Sequence, residues 1–315
     1  PRTEQARAFV TKIWNASRFV LGNLDGFTPG EPKATTQADA WIFSRLAKLS
    51  AAVTSYVETY QFGEMARELH NFFWNEFCDW YIEFSKASLK EEGDARLQTQ
   101  RNLVYVLDNA LRLLHPAMPF VTEAIWENVP KTEGEEAPAL MVAKWPEPDE
   151  LAHWIDEDAE RAVSLLVDVV SAVRSTRARY GISPKQELSV VVRTNVDNAF
   201  VLEGLKSQIA SMARASELSV VPADAQKPAE SACVVAHGCE VYCVLAGLID
   251  FDAERARLEK EKKQLEKDEA KFAKKLSNPG FLAKAAPEIV EKDTAKLADL
   301  RDKLARVEEQ LAALA

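Results

Sequence analysis

The residues of this sequence with the clearest chemical potential are cations and aromatic rings on predicted helices. Sequence motifs typical of catalytic sites do not occur. The 315 residues contain no phosphate-binding glycine loop, no dinucleotide fingerprint and no zinc-protease histidine pair. The four histidines are scattered along the chain. We therefore assign no catalytic residue and expect the chain by itself to bind a ligand without transforming it.

One cluster has the residue types of a metal site. Four soft or borderline ligands fall within eleven positions, which suits tetrahedral zinc: Cys233, His237, Cys239 and Cys243. The cysteines lack Cys-x-x-Cys spacing, and strand alternation puts two of them beside apolar residues. Free cysteine is also among the most frequently buried residue types. The sequence therefore predicts no metal and no cofactor in this chain.

A helix beginning near Thr36 carries an aromatic ring beside two cations. Trp41, Arg45 and Lys48 are spaced by four and three residues, so they share one helix face next to an apolar stripe that begins at Ile42. An exposed ring beside basic residues is suited to stacking on an unpaired base with phosphate contacts around it. The alternative, which the pattern alone favours, is that Trp41 packs against the next helix.

A second candidate surface is a stripe of lysines near the end of the chain. Its members repeat at three and four residues along one predicted helix: Lys260, Lys263, Lys267, Lys271 and Lys274. Such a stripe can neutralise phosphates on a nucleic acid. It can equally be the solvated face of a coiled coil with ion pairs along the helix. The pattern leaves these two interpretations open.

Apolar periodicity predicts the elements that carry these residues. Five helices with short polar connections form a helical bundle over residues 1–148, and the first of them has the stripe Phe9, Ile13, Trp14, Ser17, Val20 and Leu21. Residues 149–249 form a small α+β domain, with a helix from about Asp156 to Tyr180, another over Leu202–Ala213, and valine-rich strands. The predicted fold class up to this point is mainly α.

Residues 250–315 are predicted to form an antiparallel coiled-coil hairpin. Leu258, Leu265 and Phe272 are spaced by seven residues, and so are Leu297, Leu304 and Leu311. Ser277-Asn278-Pro279-Gly280 stops the first helix, and Pro287 starts the second. The third predicted domain is therefore an arm built from two heptad helices.

Composition says more about the cellular compartment of the protein than about its ligand. The formal net charge is −10, from 39 basic and 49 acidic residues, and it neither supports nor excludes an RNA partner. The absence of a long apolar run or an apolar leader predicts no membrane span and no secretion signal. Four cysteines are too few for a disulfide framework at this length, which favours a reducing cytoplasm.

The chain resembles the C-terminal region of bacterial valyl-tRNA synthetases over essentially its whole length. Several segments of the bundle are similar to the anticodon-binding domain of that family. The matching segments are Lys12-Ile13-Trp14-Asn15-Ala16-Ser17-Arg18-Phe19, Trp74-Asn75-Glu76-Phe77-Cys78-Asp79-Trp80, and Leu114-His115-Pro116-Ala117-Met118-Pro119-Phe120. The last is shared with isoleucyl and leucyl relatives. The arm is similar to the valyl arm around Lys275-Leu276-Ser277-Asn278, Gly280-Phe281 and Ala286-Pro287-Glu288.

The resemblance implies that the bundle contacts the anticodon of tRNA-Val and that the arm contacts the tRNA elbow. It puts Arg18 and Trp41 where the family approaches the anticodon, although Ala40 stands where the family commonly has arginine. It also implies a parent enzyme that attaches valine using ATP and Mg²⁺, with catalytic and editing domains whose motifs do not occur here. We expect a monomer; the alternatives are a protein–protein assembly module or an isoleucyl-type region.

Overall fold

The computed structural model describes residues 2–131, 136–183, 185–249, 251–278 and 287–313. The chain divides into two compact units, Pro1–Ser164 and Leu165–Ala315. None of the helices within the described ranges is long and apolar enough to cross a membrane.

The first unit is a helical bundle, as predicted. Its main helices are α1 (Arg2–Gly22), α2 (Gln37–Glu58), α3 (Phe62–Asn71), α4 (Ile82–Ser88), α5 (Asp94–Leu114) and α6 (Pro119–Trp126), and a π-helical segment over Phe72–Tyr81 joins α3 to α4. Short turns follow at Leu140–Val142, α7 (Pro148–Leu151) and Ala152–Trp154, and α8 (Glu157–Arg179) begins in this unit. Pro119 is the first residue of α6, where its missing N–H removes no helical bond.

The start of α2 is fixed by a buried carboxylate. Thr36 is the N-cap and accepts from the backbone N–H of Asp39, while the Asp39 side chain accepts from the N–H of Thr36, which closes a capping box. The Tyr81 hydroxyl donates to Asp39 over 2.7 Å, so α2 is tied to the π-helical segment. Burial and the nearby Asp39 carboxylate raise the pKa of Tyr81, which keeps the hydroxyl protonated as a donor.

A polar cluster lies inside the bundle core. Asp108 and Arg112 on α5 form an ion pair, with 2.8 Å between Nε and Oδ2, and the arginine side chain is only 9% exposed. Trp126 Nε1 donates to Asp108 Oδ1 over 2.7 Å. Arg112 also donates to the carbonyl of Lys144 over 2.9 Å. The surrounding core is aromatic and aliphatic, and its fully buried members include Phe43, Phe73, Phe77, Leu103, Leu107 and Leu111.

The second unit contains a small mixed sheet. Its strands are β1 (Leu188–Thr194), β2 (Ala215–Pro222), β3 (Ser231–Ala236) and β4 (Cys239–Val244), in the order β2-β1-β4-β3. β1 pairs parallel with β2 and antiparallel with β4. Two helices, α9 (Val196–Gly204) and α10 (Lys206–Ala213), form the crossover that a parallel pair needs.

The arm consists of α11 (Phe251–Leu276) and α12 (Pro287–Ala313), which pack together in the second unit. Leu258 is fully buried, Val307 is 5% exposed, and Tyr180, Leu265 and Leu311 pack against this pair. The predicted helix stop at Pro279-Gly280 and the matching segments Gly280-Phe281 and Ala286 lie outside the described residues. The coiled-coil prediction is confirmed for the two helices.

Polar positions between the two helices fix their pairing. Lys262 Nζ lies 2.7 Å from Glu308, Arg301 Nε lies 2.9 Å from Glu269, and Lys275 Nζ lies 2.7 Å from Asp293. Each pair joins α11 to α12. Because a shifted pairing would separate these charges, they specify one alignment of the arm.

We expect Leu258→Ala to loosen the arm selectively. Removing a fully buried leucine leaves a cavity and costs about 2–5 kcal/mol. Helicity followed by circular dichroism during heating should show an earlier loss of part of the helical signal. Leu276→Ala, at a half-buried position of the same helix, is the control and should shift this transition less. Identical melting of wild type and Leu258→Ala would contradict the packing described here.

Candidate RNA-binding surfaces

Trp41 does not present an exposed ring. The residue is 6% exposed, and its indole packs edge-on against Phe84 of α4, with ring centroids 6.1 Å apart. The exposure on which its stacking role depended is therefore not found, and the alternative of packing against another helix describes this geometry. Burying a large aromatic ring against a neighbouring helix is lower in free energy than leaving it exposed to water.

The two cations that follow Trp41 are paired with carboxylates inside the first unit. Arg45 donates to both oxygens of Glu76, over 3.0 Å from Nε and 3.0 Å from Nη2, and its Nη1 lies 3.5 Å from Glu160. Lys48 Nζ lies 2.7 Å from Glu157 and 2.9 Å from Glu160. Both cations are therefore compensated by carboxylates in this structure, two of them at the start of α8, and RNA binding by Arg45 and Lys48 stays a prediction.

Glu160 is the centre of this network. Its carboxylate accepts from the Ser44 hydroxyl and faces both cations. Burial acts to raise the pKa of Glu160, but the hydrogen bonds from Ser44 and Lys48 and the charge of Arg45 outweigh burial and lower it. The bidentate pair with Glu76 raises the pKa of Arg45 against the opposing effect of burial. These contacts fasten the start of α8 to α2.

Glu160→Gln should destabilise the first unit by about 1–2 kcal/mol at pH 7, since it leaves Arg45 and Lys48 with one carboxylate fewer. The lowered pKa of Glu160 means that its contribution is present at neutral pH and is lost as the pH falls through the folded-state value. The difference between wild type and variant in urea unfolding should therefore shrink as the pH falls below 4.5, the ordinary pKa of a glutamate. Glu157→Gln is the control: its side chain is 74% exposed, so we expect less than about 0.5 kcal/mol. Equal effects of the two variants at pH 7 would contradict this assignment.

Arg18 lies on the exposed side of α1. Phe9, Ile13 and Val20 of the same helix are buried. Within the described parts of the chain, the Arg18 side chain has no ion pair or hydrogen bond. Of the four residues predicted to bind RNA in the bundle, Arg18 is therefore the one whose charge is available to a ligand.

The same helix carries an exposed aromatic residue that was not among the predicted site residues. Trp14 is a member of the predicted stripe of α1, but its side chain is 44% exposed. The stripe is complete without it, because Phe9, Ile13, Ser17 and Val20 are spaced by four, four and three residues and are all buried. That spacing was the signal that could have placed Trp14 outside the core.

The lysine stripe of the arm is fully available. Its five members are exposed and form no ion pair with any residue that the structure describes: Lys260, Lys263, Lys267, Lys271 and Lys274. Their neighbours Lys262 and Lys275, which face α12, are paired with Glu308 and Asp293. The stripe is therefore not the ion-paired coiled-coil face of the alternative interpretation, and its charge is free to meet an anion.

The cysteine cluster is part of the sheet. Cys239 and Cys243 are fully buried on β4, and Cys239 lies 3.1 Å from the Thr194 hydroxyl. Burial raises the pKa of Cys243 to about 11, so it is a thiol at neutral pH. His237 instead forms a hydrogen bond with Asp168, with 2.9 Å between Nδ1 and Oδ2. No three potential ligands converge on a common point within the described ranges.

Comparison with known proteins matches the part of the chain that begins in α2 and, separately, the arm. Residues 39–192 match the anticodon-binding domain of tRNA ligases, and residues 250–315 match the tRNA-binding arm of valyl-tRNA synthetases. The second match is specific to the valine family and decides against an isoleucyl-type arm.

Full-length relatives agree with these domain matches. The chain is 39% identical to the valine–tRNA ligase of Symbiobacterium thermophilum, over 99% of this chain and 36% of the relative. It is 41% identical to that of Syntrophotalea carbinolica, over 98% and 34%, and 40% identical to that of Enterococcus faecalis, over 97% and 34%. The chain thus spans about a third of the length of these curated relatives. It belongs to the valyl-tRNA synthetase family, of which it carries the anticodon-binding domain and the tRNA-binding arm.

Proposed function

We propose that this chain is the tRNA-binding part of a valine–tRNA ligase. The bundle contacts the anticodon of tRNA-Val, the arm contacts the tRNA elbow, and the parent enzyme attaches valine using ATP. The observation that carries this proposal is the unpaired lysine stripe on a helix that matches the tRNA-binding arm of this family. The proposed domains are residues 1–148, 149–249 and 250–315.

The lysine stripe suits a folded RNA better than a protein partner. Five exposed cations repeat along one side of α11. A row of unpaired cations releases counterions when it meets phosphates, which gives affinity without base contacts. A protein–protein assembly surface on this arm would instead be expected to have apolar residues at its centre.

Two weak contacts on one rigid RNA reinforce each other. Once the anticodon is bound, the elbow is held near the arm, so the second contact forms at a high effective concentration. In the parent enzyme this binding orients the acceptor end towards the catalytic domain, and positioning of this kind lowers reaction barriers by several kcal/mol. The proposed partners are therefore tRNA-Val and the catalytic and editing domains of the same parent chain, in the cytoplasm.

Light scattering coupled to size exclusion tests this proposal against assembly through the arm. We expect the free chain to run as a monomer at all concentrations and to form a complex with one tRNA-Val transcript per chain. A mass that rises with protein concentration, without a shift on adding tRNA, would support the assembly alternative and contradict the proposal.

A further inference from the structure

The exposed face of α1 has the residue pattern that was sought on α2. Arg7, Trp14 and Arg18 are spaced by seven and four residues, which places the ring between two cations along one side of the helix. All three are exposed, and neither arginine has an ion pair with a residue in the described ranges. At 1.5 Å per residue the two arginines are about 16 Å apart along the axis.

A groove of about 410 Å³ runs beside this face. It lies between α1 and the half-exposed indole of Trp74. Ala8, Thr11 and Asn15 line the groove on the α1 side, and Asn15 follows Trp14 directly in the sequence. The Trp74 ring is stacked on His70, with centroids 5.4 Å apart, so its orientation is fixed. The groove is shallow and largely open to solvent.

The polar groups around the groove differ in availability. Lys12 lies 5.3 Å from the centre of the Trp74 ring and 2.6 Å from Asp79, so its charge is compensated. The Asn15 side chain has no hydrogen bond within the described parts of the chain. An unengaged amide offers a donor and an acceptor side by side, the arrangement that reads the edge of a base. Glu4 also lines the groove.

We infer that the α1 face binds an unpaired RNA segment, with one base stacked on Trp14, flanking phosphates on Arg7 and Arg18, and a neighbouring base in the groove next to Asn15. The inference rests on the proposed function and names the surface of the bundle that performs it. Single-stranded RNA is recognised by stacking on aromatic rings and by hydrogen bonds to exposed base edges. The cations, the ring and the amide on this face supply all three contact types.

Variants of the α1 face separate these contacts in anisotropy titrations with a fluorescein-labelled tRNA-Val transcript. Trp14→Leu should weaken binding about ten-fold without changing the salt dependence, because stacking carries no charge. Trp14→Phe, which keeps a ring, should recover most of the loss. Arg7→Ala should reduce the slope of log affinity against log salt by about one. Asn15→Ala should weaken binding about ten-fold at an unchanged slope.

Matched substitutions elsewhere in the first unit provide the controls. Arg161→Ala on α8 and Asn128→Ala in the turn after α6 remove the same side-chain types from exposed positions and should bind like wild type. Thermal unfolding of each variant identifies any loss of folding. If Trp14→Leu, Arg7→Ala and Asn15→Ala all bind like wild type while wild type still binds tRNA-Val, this inference is wrong and the proposed function stands. If wild type binds no tRNA, both are wrong.

Discussion

Replacing Lys263, Lys267 and Lys271 with alanine lowers the affinity of this chain for tRNA-Val about 100-fold at 0.1 M salt, if the arm contacts the elbow. Each phosphate contact contributes a slope of roughly 0.7–0.9 in log affinity against log salt. Loss of three contacts therefore also reduces the slope by about two to three. Anisotropy titrations at four salt concentrations measure both quantities on one set of samples.

The control for this prediction removes the same charge from lysines that are already paired. Lys144, Lys206 and Lys303 lie 2.6, 3.2 and 2.9 Å from Glu150, Glu203 and Asp299. Their triple alanine variant should bind with nearly the wild-type slope. If the two triple variants weaken binding equally, the effect reports net charge alone, and the stripe has no special place in the complex.

Asp108→Ala should destabilise the bundle by about 3–5 kcal/mol, the largest effect that we expect from a single polar substitution. The change removes the Asp108 carboxylate that pairs with the buried Arg112 guanidinium, and it removes the acceptor of the Trp126 indole N–H. Urea unfolding followed by tryptophan fluorescence measures the loss.

An exposed ion pair in the same unit is the comparison for Asp108. Glu83→Ala breaks the pair with Lys86, whose side chains are 42% and 44% exposed, and should cost less than about 0.5 kcal/mol. Asp108→Asn keeps an acceptor for Trp126 and should fall between wild type and Asp108→Ala. If Asp108→Ala lowers the free energy of unfolding no more than Glu83→Ala does, this buried pair does not hold the bundle together.

Long-period patterns in the sequence predicted most of the fold. The seven-residue spacing of Leu258, Leu265 and Phe272 indicated the first arm helix, and the structure confirms it. The sequence predicted a helix beginning near Thr36, and Thr36 is the N-cap of α2. Such patterns succeed because burial of one helix face requires the same spacing in every helix of this kind.

Short-range features were harder to predict. The helix expected over Leu202–Ala213 begins at Val196 and breaks at Leu205, giving α9 and α10. Val196 and Phe200 are 81% and 84% exposed, so no apolar stripe marked the first of these helices. The side chain of Asn195 caps it by accepting from the N–H of Asn198, a local signal that periodicity does not contain.

The residue types of the candidate site could be predicted from the sequence, but the exposure of individual residues in the bundle could not. Sequence reasoning found the lysine stripe, because charge repeated along a helix needs no tertiary knowledge. It could not place Trp41 or Arg45, because their exposure depends on Phe84, Glu76 and Glu160, which come together only in the folded bundle. The presence of acids from another helix determines whether a cation is available.

The most direct test of anticodon recognition is the affinity of the wild-type chain for two tRNA-Val transcripts that differ only in the anticodon. We predict that exchanging the anticodon weakens binding about ten-fold or more and leaves the salt dependence unchanged, because the phosphates are the same in both RNAs. Equal affinity for the native and exchanged transcripts would contradict recognition of the anticodon by the bundle.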